Sequence, residues 1–86
     1  MYQLFATTRF KKDLKKLRSR PHDFELVATT LKQLKIKGVK GISAAIRPHK
    51  LKGNFADNWE CHIKPDLLII WIQIEKPKEI RLVRVG

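Results

Sequence analysis

The chain has 86 residues, 43% of them hydrophobic, and 19 Lys and Arg stand against 8 Asp and Glu, a formal net charge of +11. That length holds one small domain and excludes two. A single cysteine, Cys61, excludes an internal disulfide framework, and the longest apolar run, Leu67 to Ile72, is far too short for a membrane span. The opening residues lack a charged leader followed by a long apolar segment, so they do not read as a signal peptide. The expected class is a cytoplasmic globular domain whose partners are polyanions: nucleic acid, an anionic surface or an acidic protein.

The charge is concentrated early, since 11 of the basic residues and three of the acidic ones precede residue 41. Tyr2 to Ala6 reads as a short strand, and Thr7 or Thr8 as the cap of a first helix. Phe10, Leu14 and Leu17 give that helix one apolar stripe over Arg9 to Ser19. Lysines and arginines cover the rest, and Pro21 is expected to end it. Asp23 is expected to cap a second helix to about Lys37, with Phe24, Val27, Leu31 and Leu34 inward and Gly38 as the stop. Gly41 to Pro48 reads as a loop, and His49 to Gly53 as a short strand or turn.

The period then changes to two. Trp59, Cys61 and Ile63 point one way, and Glu60, His62 and Lys64 the other. Leu67 to Ile74 is apolar on both faces, as a central strand is. After a turn at Lys76, Pro77 and Lys78, a last strand alternates Ile80, Leu82 and Arg84 with Arg81, Val83 and Val85. The expected fold is α+β, in the order β-α-α-β-β-β, with a helical hairpin packed on an antiparallel sheet.

Three histidines, His22, His49 and His62, lack the spacings of a metal site, so no metal and no cofactor is expected. Cys61 alternates with Trp59 and Ile63 and reads as a small core residue rather than a nucleophile. The better constellation lies on the sheet: His49, His62, Asp66 and Arg84, with Lys50, Lys52, Lys64 and Arg81 around them. Histidines and cations on an open face suit metal-free RNA cleavage. One group removes the 2′-hydroxyl proton, another protonates the departing 5′-oxygen, and cations hold the phosphate. Read without chemistry, the same residues describe a basic module that binds RNA or an acidic protein.

The stretch His49-Lys50-Leu51-Lys52-Gly53, followed by His62-Ile63-Lys64-Pro65-Asp66-Leu67, resembles the YafQ branch of the RelE/ParE toxin superfamily. The ending Ile80 to Gly86 and the opening Phe10-Lys11-Lys12-Asp13 fit the same pattern, so the likeness covers nearly the whole chain. It implies the RelE-like fold and the toxin of a type II toxin-antitoxin system, a ribosome-dependent endoribonuclease that cuts mRNA in the A site. It also implies a cognate antitoxin as partner, with operator DNA reached only through that antitoxin, and no membrane. By the same resemblance His49 and His62 are candidates for proton transfer, Asp66 for a base or for orienting a histidine, and Arg84 for holding the phosphate. Lys50, Lys52, Lys64 and Arg81 are candidates for touching RNA. In the family the last strand continues into a Gly-Ser-His-type segment whose histidine is a candidate general acid. The sequence here ends at Gly86, so residues 1–86 are expected to form one toxin domain lacking that tail. Two other readings stay open: a non-catalytic module binding antitoxin or ribosomal RNA, and a gyrase-poisoning relative of the same superfamily.

Overall fold

The structure is a computed structural model that describes residues 1–53 and 57–86. A strand β1 (Gln3–Ala6) leads into helices α1 (Thr8–Lys16) and α2 (Pro21–Lys37). Strands β2 (His49–Lys50), β3 (Trp59–Lys64), β4 (Leu67–Glu75) and β5 (Lys78–Val85) follow. The sheet order is β1-β5-β4-β3-β2. β2 to β5 pair antiparallel as expected, while β1 lies parallel to β5, so the whole sheet is mixed. No helix among the described residues is long and apolar enough to cross a membrane.

Thr7 sets the start of α1. Its Oγ1 accepts from Phe10 N at 3.0 Å, the ordinary cap of a helix, and the hydroxyl donates to Val83 O at 3.1 Å. Its own N–H donates to Leu82 O, which carries the β1–β5 ladder one residue further. α1 is shorter than the stripe suggests, because Leu17 to Ser19 tighten into a 3-10 turn. Pro21 opens α2 instead of ending α1: at the first helical position its missing N–H costs nothing. Asp23 is therefore inside the first turn and not the cap.

Both helices cover one face of the sheet. Phe10, Leu17, Val27 and Leu34 meet Cys61, Leu67, Ile69, Trp71, Ile80, Leu82 and Val85 in one buried core. Trp71 is fully buried and stacks on Trp59 across the strands, ring centroids 6.3 Å apart. Fully burying side chains of this size contributes about 1.5 to 3 kcal/mol each, which is what holds the hairpin down. Burial pushes the Cys61 thiol up to about 11, so it stays protonated and packs as the small apolar residue its alternation implies. The opposite face of β4, with Leu68, Ile70 and Ile72, is half-buried.

Two bulges break the simple alternation. The β3–β4 register shifts after His62, so that Lys64 pairs with buried Leu67. Lys64 is thereby turned to the helix side, away from Glu60 and His62, against expectation. The β4–β5 register shifts between Ile70 and Trp71: Ile70 pairs with Arg84, and Trp71 with Leu82. Val85 then joins Ile80 and Leu82 inside, and Arg84 leaves their face. An extra residue in one strand does this wherever a bulge occurs.

Two polar clusters pin the ends. Lys64 Nζ lies 2.7 Å from Asp23 Oδ1, and Arg20 lies 2.7 Å from Asp23 Oδ2, so α2 is clamped to the end of β3. At the far end, Tyr2 donates to Glu75 Oε1 at 2.7 Å. Gln73 Oε1 accepts from Val39 N, and Gln73 Nε2 donates to Glu75 Oε2, both at 2.9 Å. The hydrogen bond to Glu75 raises the Tyr2 phenol, and the same bond lowers the Glu75 carboxyl. Gly38, at φ 62° and ψ −146°, lets the chain leave α2 against Gln73, whose amide a Cβ would meet at 2.8 Å.

Gly38→Ala is expected to lower stability by roughly 1 to 3 kcal/mol, the usual cost of a side chain in a glycine-only backbone region. Urea denaturation measures it, and an unchanged midpoint would remove Gly38 from this role. The Asp23–Lys64 pair predicts a pH signature. The hydrogen bond from Lys64, with Arg20 beside it, lowers the Asp23 carboxyl, and Asp23 in turn raises Lys64. The Asp23 share of stability is present above its unfolded value near about 3.9 and is lost as pH falls through the lower folded value. The Lys64 share is present below about 10.4 and is lost as pH rises through the higher folded value. The stability gap between the protein and its Asp23→Asn variant should therefore narrow at both extremes of pH. A gap that widens toward acid would contradict the clamp.

Candidate functional site

The open face of the sheet carries one polar row. His49 pairs with Glu60, Glu60 with Ile70, and Ile70 with Arg84, so four strands place these residues side by side. Neighbouring strands are about 4.8 Å apart, which sets His49 and Arg84 about 14 Å apart along the row. His62 lies two residues from Glu60 on the same face of β3.

The two histidines meet. Their rings are nearly parallel, 7° apart, with centroids separated by 6.4 Å. Glu60 Oε1 lies between them: His62 Nε2 is 3.1 Å away and His49 Nε2 is 3.4 Å away. His49 is further fixed by its Nδ1, which donates to Arg47 O at 2.8 Å. Arg47 ends a 3-10 turn (Ala44–Ile46) with φ 52° and ψ 60°, a left-handed conformation that non-glycine residues seldom adopt. Such a residue stores roughly 1 to 3 kcal/mol, and here it turns a carbonyl onto a histidine. With its proton on Nδ1 the neutral His49 ring keeps a lone pair on Nε2 that can accept from a hydroxyl, and Nε2 bonds to Glu60 Oε1 only when the ring is protonated. In its imidazolium form, His62 donates to Glu60.

Glu60 Oε1 itself occupies the point between the two imidazole nitrogens. Among the described residues no group of three or more His, Cys, Asp or Glu is set out to hold a metal ion.

Arg84 is held from behind. Its Nε donates to Asp13 Oδ2 at 2.9 Å, and Val85 N donates to the same oxygen at 3.2 Å. Asp13 is buried, 8% exposed, on the inward side of α1, so a carboxylate from the first helix fixes the last strand's cation. Arg9 adds a longer contact to Asp13 at 3.7 Å. The terminal nitrogens of Arg84 make no hydrogen bond among the described residues.

The remaining expected residues lie elsewhere. Asp66 is exposed in the β3–β4 turn, and its ion pairs are to Arg20 at 3.6 Å and Lys64 at 3.7 Å, not to a histidine. Lys64 belongs to the Asp23 clamp. Lys50 pairs with Trp59 and lies over its ring at 5.5 Å, on the side of the sheet away from His49. Lys52 is exposed just before the undescribed residues 54–56. Arg81 is exposed near β1, against a small hollow with Phe5 and Glu79. His22 is exposed on α2. Glu60 and Asp13 are the residues that composition and alternation did not single out. The signal for Glu60 is its i, i+2 spacing to His62 on a strand, and for Asp13 an acid among lysines on an otherwise apolar stripe.

The family model described as "Bacterial toxin of type II toxin-antitoxin system, YafQ" matches residues 2–86. Among curated proteins, none matches the sequence. Among solved structures, the chain is similar to a metal-bound toxin from Helicobacter pylori, with 31% identity and a TM-score of 0.84, covering 100% of this chain and 93% of that one. It is similar in fold to the toxin-antitoxin complex DinJ-YafQ of E. coli, at 21% identity and TM-score 0.84, over 99% and 90% of the two chains. A YoeB/ParE toxin from Agrobacterium tumefaciens shares the fold at 17% identity and TM-score 0.84, over 96% and 94%. By the match of the family model to nearly its whole length, the chain belongs to the YafQ family of bacterial toxins of type II toxin-antitoxin systems.

Proposed function

We propose that the chain is a ribosome-dependent endoribonuclease that cuts mRNA in the ribosomal A site without a metal. The observation that carries this reading is the His49–Glu60–His62 group on an open sheet face, with Arg84 on the same row. His49 takes the proton of a ribose 2′-hydroxyl on Nε2. The 2′-oxygen bonds to phosphorus, and the bond from phosphorus to the 5′-oxygen breaks. His62 gives its proton to that departing oxygen, leaving a 2′,3′-cyclic phosphate and a 5′-hydroxyl. Glu60 stabilises the charge on His62. Arg84, held by Asp13, meets the negative charge that builds on the phosphate oxygens. Asp66, exposed in the β3–β4 turn, positions that turn through Arg20 and Lys64. Lys50, Lys52, Lys64 and Arg81 contribute to the field that draws RNA to the protein.

The partner that restrains this activity is a cognate antitoxin, as the complex of DinJ with YafQ suggests by analogy. An acidic antitoxin segment matches the +11 charge of this chain. Operator DNA is then reached only through the antitoxin.

His49→Ala and His62→Ala should each slow mRNA cleavage on programmed ribosomes by about 10²- to 10⁴-fold, the usual worth of general acid-base catalysis. Arg84→Ala should cost about 10²- to 10³-fold, as loss of one preorganised charge partner does. If both histidine variants cut normally, or if the protein cuts nothing and still binds antitoxin, the non-catalytic reading replaces this one. RNA binding should also weaken steeply between low and physiological salt, because released counterions supply much of the affinity. A filter-binding series with a flat salt response would rule RNA out as the polyanion.

A further inference from the structure

A separate group of basic residues gathers where α2 ends and β5 begins. The last turn of α2 carries Lys35 and Lys37, the 3-10 turn after it Lys40, and Lys78 opens β5. Tyr2 N donates to Lys35 O at 2.7 Å, so the start of the chain is tied to the same end. Here lies a hollow of about 510 Å³, bordered by Ile36, Lys37, Lys40 and Lys78 together with Tyr2, Gln73 and Glu75. Gln73 and Glu75 follow buried Trp71 on the helix side of β4, so the hollow is on the face of the sheet opposite the histidines. Glu75 is five residues past Ile70, the member of the histidine row on β4, which adds about 17 Å along the strand.

Taking the antitoxin as the partner proposed above, we infer that this hollow docks an acidic antitoxin segment by one apolar side chain, and that a segment seated there leaves the histidine face open. Lys37, Lys40 and Lys78 are exposed and enter no ion pair among the described residues. Against them stands one carboxylate, Glu75, so the hollow keeps an excess of positive charge. Glu75 itself shows how a carboxylate is received here. It accepts from the Tyr2 hydroxyl and from Gln73 Nε2. Those bonds hold its carboxyl below the usual value, and Lys78 and Lys40 act in the same direction. The apolar part is Ile36, 57% exposed in the last turn of a helix whose Val27 and Leu34 are fully buried. A protein segment can satisfy both features at once, with carboxylates for the lysines and an aliphatic side chain for Ile36. RNA would meet the lysines but leave Ile36 uncovered, and no aromatic face is open to stack a base. The Tyr2 ring is buried, with Lys78 Nζ 5.4 Å above its centroid. A segment reaching from the hollow to the histidines must cross to the other face of the sheet. Holding the toxin and closing its candidate site are therefore separate contacts.

The test begins with peptides. The free chain is titrated with a capped glutamate-rich peptide carrying one central leucine, with its twin carrying serine there, and with oligouridylate. NMR follows the backbone amides and the histidine rings. The leucine peptide is expected to move Ile36, Lys40 and Lys78 and to bind about tenfold tighter than its twin, as partial burial of one leucine allows. The His49 and His62 rings should not move. Ile36→Ser, at an exposed position, should erase the difference between the peptides, and Lys40→Glu should weaken both about three- to fivefold. Equal binding of the two peptides, shifts at the histidine rings, or oligouridylate moving these amides more than the leucine peptide overturns the site. With the whole cognate antitoxin, Ile36→Ser should raise Kd about tenfold and leave cleavage by the free chain on ribosomes unchanged. An unchanged Kd overturns the antitoxin as occupant. If the antitoxin binds neither the parent chain nor the variant, the partner proposed above fails, and the peptides alone decide the hollow.

Discussion

A carboxylate buried under a basic helix organises this molecule. Asp13 sits on the inward side of α1 and spends one oxygen on both Arg84 Nε and the Val85 N–H. Leaving such a group unpaired in the interior would cost several kcal/mol, so the contact fixes where the helix can lie on β5. It also fixes Arg84. The bulge opposite Ile70 turns that arginine out of the core, and Asp13 then holds it beside the open face. Helix position, strand irregularity and the placement of one cation are a single arrangement here. Removing the acid would leave the other two without a reason.

The same economy appears at the other bulge. One extra residue after His62 sends Lys64 to the helix side, where it clamps Asp23. His62 stays outside with Glu60 and His49. Within three residues of one strand, one side chain thus serves stability and another faces the open surface. The charge of the chain is divided in a like manner: the lysine-covered helices lie on one side, and the histidine group lies on the other, with few cations close by.

Much of this could be read from residues. The strand at Leu67 to Ile74, apolar on both faces, is central as its pattern implies, and both helices follow their apolar stripes. Cys61 is a core residue as its alternation requires. What escaped has physical causes. Period-two alternation assumes an unbroken ladder, and the two bulges defeat it at Lys64 and Arg84. Proline can end one helix or begin the next, and at Pro21 the short 3-10 turn before it decides the matter. A parallel partner for β1 leaves no mark in a four-residue strand, because its pairing residues are more than seventy positions away. The two histidines could be grouped on the sheet with Asp66 and Arg84. Their convergence on Glu60 was not visible, because cross-strand pairing depends on a register that a two-residue strand does not announce.

The pairing of the first strand with the last also governs how the chain is made. β1 bonds to β5, Tyr2 to Glu75 and Asp13 to Arg84, so the first elements find their partners only at the far end of the sequence. Contacts of such long range form slowly, since a large loop must close before they return any stability. During synthesis α1 and α2 emerge with their apolar stripes uncovered, and α1, which packs on β5, remains so until β5 has left the ribosome. The interval is a window in which a partner already present can meet an incomplete molecule. For a toxin of a toxin-antitoxin system, the connectivity of the sheet keeps that interval open until the last strand has formed.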